Sequence, residues 1–423
     1  MKQRLSLLGI LFVILAFNGC KTKNPEKRTV MAIPVYGQSL ALGEEAIRIT
    51  DFDTLATQTK HRVLTENLDE HFGYLSDTHF KQWMKKVIND RHRAFELSVY
   101  GMAEVVAEHL EKKGYGDSLL IATFPGGQGA SGIAEISKGT KAYKKFLSEI
   151  EGAYQKAQDK GWDFIVPAFC WMQGEDDIVW RKSKDYKKDL KQFQMEFNRD
   201  VKAITKQRQD VVCITYQANC LTLSEEFNEI LFNSRETGVP QGQLELIAED
   251  PLFMGSGPTY PYSFAGERVH IDGLSQKRLG YMAGLSVIRL LESKPSTGLV
   301  PSNFKVSGDT VLVKFKVPAP PLVLDTTAVK YAANYGFSVI DSNNTNILQK
   351  VILKDNVLKL YCKQSPVGAK VKYAVNGLKE KSGHKYGPRG NLRDSQGEAL
   401  TATIRKKSYP LHNWCYQFDV LLD

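Results

Sequence analysis

Three apolar runs, each breaking off into a glycine-bearing polar turn, set the rhythm of the chain as far as Leu291. Val30, Ala32, Ile33 and Val35 lead into Tyr36-Gly37-Gln38-Ser39. Residues 118–124 (SLLIATF) lead into Pro125-Gly126-Gly127-Gln128-Gly129-Ala130-Ser131-Gly132, and residues 164–171 lead into Met172-Gln173-Gly174-Glu175-Asp176-Asp177. Uninterrupted apolar runs of this length suit strands covered on both faces. Apolar residues then recur at helical spacing, predicting helices over 95–112 (closed by Gly114), 143–160, 186–204 and 274–291. Further strands are predicted at 211–216 and 244–248, with a helix over 225–237, a helix start after Ser39 and a Gly/Pro/Tyr-rich loop over 251–266. Strands alternating with helices indicate a parallel sheet with helices on both faces, whose site lies beyond the carboxyl ends of its strands. Ser39, the turn 126–132 and residues 173–177 are therefore expected to converge.

Beyond Leu291 the pattern changes. Residues 295–301 read as a linker, and short alternating runs follow at 310–316, 336–340, 350–354, 357–362 and 370–375. These predict a smaller all-β, sandwich-like domain over 302–423. The formal charge of +9 is confined here, because residues 296–423 hold 18 Lys and Arg against 9 Asp and Glu. Cations at 379–393 and 405–407 lie close to Tyr386, Tyr409 and Trp414. That mixture suits an anionic polysaccharide, the alternative being a solvated basic surface resting on an anionic membrane. Residues 44–93, polar with scattered aromatics, read as an insertion over the site.

At the other end, a basic start precedes an apolar stretch at 5–17, too short to span a bilayer, and then Asn18-Gly19-Cys20. This predicts a signal peptide over 1–19. The Gly19-Cys20 junction resembles the lipobox of bacterial lipoproteins, which implies lipidation at Cys20, a tether over 20–28 and a place in the bacterial cell envelope, membrane-anchored at the periplasmic face or the cell surface. Nucleic acid is not an expected partner of an exported chain. Among the other cysteines, Cys170 reads as a small core residue, and Cys362 with Cys415 is the candidate disulfide. No cysteine or histidine spacing matches a metal site, and no cofactor motif follows a strand, so neither metal nor cofactor is expected.

Ester hydrolysis needs a nucleophile, a base and donors for the tetrahedral oxyanion. Ser39 is the candidate nucleophile and His270 the candidate base. Glu267, three residues before His270, is the candidate acid that would hold the imidazole tautomer, with Asp272 its rival. The candidate oxyanion donors are the Ser39 amide, the Gly127 amide and the Gln173 side chain, supported by Gln38 and Glu175. The absence of Gly-x-Ser-x-Gly excludes an α/β-hydrolase elbow.

The blocks GQSLALG, FPGGQGASGI, WMQGEDD and ERVHIDGLSQKRLG resemble, in this order, the SGNH hydrolase superfamily, and most closely its carbohydrate-esterase branch of sialate and acetylxylan O-acetylesterases. The resemblance covers about residues 30–291. It implies a flavodoxin-like sheet over 29–294 and matches Ser39 to the nucleophile, the Gly126-Gly127 turn to a backbone oxyanion donor, and His270 to the base. Trp171, Gln173, Gly174, Glu175 and Asp177 match its third block position by position. Glu267 stands where the family has Asp. The expected activity is that of a serine carbohydrate O-acetylesterase acting on an acetylated glycan through an acyl-enzyme. Two other readings keep the fold: a glycan-binding lipoprotein without turnover, and an acyltransferase or thioesterase.

Overall fold

The computed structural model describes residues 28–50, 62–65, 73–74, 95–180, 182–219, 238–294 and 298–423. The stretch expected to be a signal peptide, Cys20 and all but the last residue of the expected tether, most of the expected insertion, the helix expected at 225–237 and Cys220 lie outside the described residues.

Three strands of the central sheet are each broken once and resume. They are β1 (Thr29–Ala32, then Val35–Gly37), β2 (Leu119–Ala122, then Pro125–Gly127) and β3 (Asp163–Ile165, then Ala168–Met172). Pro34 and Pro167 occupy two of the breaks, where they cost no ladder donor. The ladder bridges them through Ile33 N–H to Ala122 O (2.8 Å), Val35 N–H to Phe124 O (3.0 Å) and Cys170 N–H to Pro34 O (2.9 Å). With β4 (Val212–Gln217) and β5 (Phe253–Pro258), the parallel order is β2-β1-β3-β4-β5. Val63–Thr65 extends the edge beside β2. This is the flavodoxin-like order, with its topological switch at β1.

Side-chain alternation along β3 assigns the helices to faces. Cys170 and Met172 meet Met102 and Ser98 of α1 (Ser98–Lys112). Trp171 points the other way, onto Phe193 at 4.4 Å between ring centroids. Tyr36, Phe146, Phe193 and Phe197 complete that aromatic layer beneath α2 (Lys141–Asp159) and α4 (Tyr186–Thr205). Between them lies α3 (Glu175–Trp180), a short helix directly after β3.

Three expectations are corrected here. Residues 39–45 form successive turns with bonds such as Ala41 N–H to Gln38 O and Gly43 N–H to Leu40 O, not the start of an α-helix. The strand expected at 244–248 is part of helix α5 (Val239–Glu249), which opens on Pro240, a residue that pre-sets a helical first turn. The fifth strand falls within the stretch read as a loop. Gly255 disguised it: a Cβ there would stand 1.9 Å from the Tyr416 hydroxyl, so the strand carries glycine because the C-terminal domain presses against it. The last helix of the domain, α6 (Gly273–Leu291), is as expected apart from one residue at its start.

The C-terminal region pairs a four-stranded antiparallel sheet with a three-stranded one, built from Phe337–Ile340, Lys370–Tyr373 and Phe418–Leu421. Val311, Val313, Leu358 and Leu360 from the first share a core with Phe337, Tyr373 and Phe418 from the second. That core continues into the α/β domain through Leu244, Ile247 and Tyr260. Leu299 and Val300, within the stretch read as a linker, are buried in it. Across the seam Gln217 and Gln417 exchange side-chain to backbone hydrogen bonds, both 2.8 Å, and the Tyr260 hydroxyl donates to Cys415 O at 2.8 Å. Cys362 and Cys415 are both buried and free, not bridged, and the Cys415 thiol turns to the Tyr416 carbonyl.

Candidate active site

Two glycines bring the strand ends together. A Cβ on Gly37 would lie 2.0 Å from Met172 O, and one on Gly127 would lie 1.8 Å from Gly37 O. Gly127 also has φ of +132°, which favours glycine. The ends of β1, β2 and β3 therefore meet more closely than side chains would allow, and Ser39, the turn after Gly127 and the turn after Met172 share one mouth.

Ser39 is 8 % exposed and so reaches solvent only at the bottom of this mouth. Its Oγ lies 2.8 Å from Nε2 of His270. His270 comes from the loop before α6, whose shape is fixed by Ala265 N–H to His270 O (2.7 Å) and by a bridge between Phe264 and Ile271. On the far side of the ring, Nδ1 lies 3.0 Å from Oε2 of Glu45. A carboxylate at Nδ1 fixes the tautomer that leaves Nε2 free to take the serine proton.

The acid at the ring is thus Glu45, not Glu267. Glu267 Oε2 accepts from Lys381 at 2.8 Å, and its backbone carbonyl accepts from Ser382 N–H, so it faces the C-terminal domain. Asp272, the rival, caps α6 by accepting from Ser275 N–H at 2.8 Å. Glu45 closes the turns that follow Ser39 and has φ of +60°, a conformation that costs a non-glycine residue energy and must be held by its surroundings. The turn is held on both sides, by Gln276 Nε2 donating to Leu40 O (2.7 Å) and by Glu96 N–H donating to Ala46 O (2.8 Å). The Glu96 carboxylate then accepts from the Ile49 and Thr50 amides at 2.8 and 2.7 Å. Sequence reasoning missed Glu45, Glu96 and Gln276. The one signal for Glu45 was an acidic pair soon after the nucleophile, with no spacing rule to single it out.

Gln173 is also placed differently from expectation. Its Nε2 donates to Asp177 Oδ2 (2.5 Å) and Ser131 O (3.2 Å), while Oε1 accepts from the Tyr186 hydroxyl at 2.8 Å. Both amide hydrogens are engaged, so the side chain ties the glycine turn to α3 instead of facing the serine as an oxyanion donor. Gly127 lies opposite Gly37 in the register of β1 and β2, where the ladder bond to Gly37 O comes from Gln128 N–H at 3.1 Å. Gly129 is the turn residue beside Ser39, at 3.9 Å from the serine Cβ to the point a Cβ would occupy. Among the described residues, the backbone N–H groups of Ser39 and Gly129 donate to no partner.

The expected supports lie beneath the mouth. Gln38 Oε1 accepts weakly from Gly174 and Asp176 amides, at 3.4 and 3.3 Å. Glu175 is buried under the site and accepts from the Tyr216 hydroxyl at 2.8 and 2.7 Å. Burial pushes its carboxyl up to about 7, the Tyr216 bond opposing that rise. Asp177 is likewise raised by burial, against its hydrogen bonds from Gln173 and Ile133 N–H.

Residues 37–246 match the family model described as carbohydrate esterase, sialic acid-specific acetylesterase. Among solved structures, a carbohydrate acetylesterase from Xanthomonas citri is 12 % identical with a TM-score of 0.54, over 93 % of this chain and 80 % of its own. At that identity the likeness concerns the fold, and it spans both domains. A protein from Arabidopsis thaliana is 13 % identical over 62 % of this chain and 98 % of its own, with a TM-score of 0.44. NanS is 13 % identical over 64 % of this chain and 99 % of its own, with a TM-score of 0.40. No curated protein sequence matches the chain.

Proposed function

We propose, for a chain whose α/β domain belongs to the carbohydrate esterase family of sialic acid-specific acetylesterases, a serine carbohydrate O-acetylesterase that works through an acyl-enzyme. The observation that carries this reading is the relay of Ser39 Oγ, His270 and Glu45, with contacts of 2.8 and 3.0 Å. Ser39 Oγ attacks the acetyl carbonyl while His270 Nε2 takes the hydroxyl proton. The carbonyl oxygen becomes an oxyanion, for which the free Ser39 and Gly129 amides are the available donors. The tetrahedral adduct then expels the sugar hydroxyl, which takes its proton from the imidazolium. Water repeats the sequence on the acetyl-serine, releasing acetate and restoring Ser39. Glu45 keeps Nδ1 protonated throughout.

The expected substrate is an acetylated glycan. Acetate release from a panel of O-acetylated polysaccharides and sialosides tests the reading, with Ser39→Ala as control. No release from any member, or release that persists in Ser39→Ala, removes it. The N-terminal pattern extends the proposal to an exported lipoprotein held by a lipid on Cys20. Radiolabelled palmitate should enter the wild-type chain and not Cys20→Ser; equal labelling of both would discard the anchor.

A further inference from the structure

The C-terminal domain bears a solvent-open cavity of about 400 Å3, within the range of small-molecule sites. Asn334, Asn346, Asn376, Ser338, Lys330 and Tyr386 line it, together with Arg389 and a few apolar groups, and no carboxylate does. Ser338 is 3 % exposed and its Oγ has no hydrogen-bond partner. Buried hydroxyls are nearly always paired, and this one, in a cavity wall, has its bonding capacity available to whatever occupies the cavity. Lys330 Nζ stands 4.6 Å from the centre of the Tyr386 ring and meets no carboxylate among the described residues. Arg389 is spent on the wall itself, donating to the carbonyls of Lys330, Tyr331 and Gly387 and so fixing its shape.

One strap joins this cavity to the catalytic loop. Leu378 N–H to Tyr386 O (2.7 Å) closes residues 378–386 into a hairpin-like turn against the cavity. From its other side Lys381 holds Glu267, Ser382 N–H donates to Glu267 O, and His384 N–H donates to Tyr262 O. Tyr262 and Glu267 both lie in the segment that leads to His270. The same strap thus forms cavity wall and backs the loop that carries the base.

We propose that this cavity is a binding subsite for a carboxylate-bearing sugar unit of the substrate polymer. The free ammonium of Lys330 meets the carboxylate, in a wall with two cations and no anion. The amides of Asn334 and Asn376, the Asn346 Nδ2 and the Ser338 hydroxyl meet the ring hydroxyls, the Asn346 Oδ1 being taken by the Val339 and Leu348 amides. That the anion is a sugar rests on the esterase reading of the catalytic domain, whereas that the cavity takes an anion does not.

The test is saturation-transfer NMR on the full chain with three unacetylated monosaccharides: glucuronate, N-acetylneuraminate and glucose. At least one of the two acids should bind, and which one does separates a uronate from a sialate polymer; glucose should bind at least fivefold more weakly. Lys330→Ala, at an exposed position, and Ser338→Val should each weaken the acid by fivefold or more while leaving aryl acetate hydrolysis within twofold. Acids that bind no better than glucose, or as well to both variants as to wild type, overturn the proposal. Aryl acetate hydrolysis in the same preparation keeps the two readings apart: an inactive protein that still binds the acid loses the esterase reading alone.

Discussion

Two glutamates lie close to His270 in different senses. Glu267 is three residues away along the chain, and its carboxylate is bound to Lys381 at 2.8 Å. Glu45 is 225 residues away and touches the ring. Both have φ near +60° and both end tight turns. Their backbone carbonyls and neighbours decide between them. The Glu267 turn is stitched to the strap at 378–386, which turns its side chain toward the C-terminal domain. The Glu45 turn is stitched to α6 and to the segment at Glu96, which turns its side chain over the mouth. An acid is recruited to a histidine by whichever loop the surrounding fold pins beside it, and sequence proximity supplies only a candidate.

The two glutamates differ in function only if the serine–histidine contact is catalytic, so the largest effect expected is the loss of that contact. Ser39→Ala and His270→Ala should each lower kcat on an aryl acetate by about 10^4-fold or more, and the double variant should be scarcely worse than either, because such groups act as a unit. Stopped-flow acetate release, with circular dichroism to check folding, measures this. Undiminished turnover in Ser39→Ala would end the mechanism. Next comes Glu45→Gln, for which a kcat loss of about 10- to 100-fold with little change in KM is expected. That is below the loss of about 10^4 seen when a buried triad acid is neutralised, because the Glu45 side chain is 54 % exposed and water can take part of its place.

Much of the site could be read in advance, and the reasons are local. Ser39, the glycine turn and residues 173–177 follow apolar runs that can only be buried strands, so their convergence follows from sheet topology. His270 was readable from the residues around it and from family resemblance. The roles of Gln173, Gly129 and Glu45 were not, because each depends on which donor or acceptor a loop happens to present. Gln173 is consumed by Asp177 and Ser131, contacts made across turns whose shape no periodicity encodes. The strand Phe253–Pro258 failed for a related reason: its Gly255 answers to Tyr416, a residue of the other domain. That seam also bears on truncation. Removing residues 296–423 would strip Tyr260, Ile247 and Leu244 of their cover, so the role of the C-terminal domain is better approached by point variants in the full chain.

A third acid sharpens the contrast between an exposed carboxylate at the imidazole and a buried one beneath the mouth. Glu175 has its carboxyl raised to about 7 by burial. The folded state therefore holds a proton on it that the unfolded chain releases at a lower pH, and stability falls as pH rises from the unfolded value, about 4.3, through the folded one, then levels off. Glu175→Gln keeps an acceptor for the Tyr216 hydroxyl and should remove this slope, gaining up to about 3 kcal/mol at pH 8 relative to pH 4.5 when compared with wild type. Urea midpoints across that range measure it. Asp177 is raised in the same direction and keeps its own slope in both proteins, so only the difference between them reports on Glu175. Parallel curves would mean that the folded protein accommodates the ionised carboxylate without cost.

The smallest effect is expected at Glu267, and it is the one that decides the comparison. Its bond to Lys381 joins side chains that are 37 % and 41 % exposed. An ion pair so open to water contributes about 0–1 kcal/mol. Glu267→Gln should therefore leave kcat and KM within about twofold. It should shift the unfolding midpoint only slightly, since the backbone bonds from Ser382 to Glu267 and from His384 to Tyr262 still hold the loop. Lys381→Met should match it, and the double variant should add little to either, because both remove the same contact. Raised salt should erase what difference there is, as screening weakens the pair in wild type. If Glu267→Gln instead costs tenfold or more in kcat while Glu45→Gln is silent, the loop at 262–270 must swing during turnover to bring Glu267 to the imidazole, and Glu45 is a resting-state contact only.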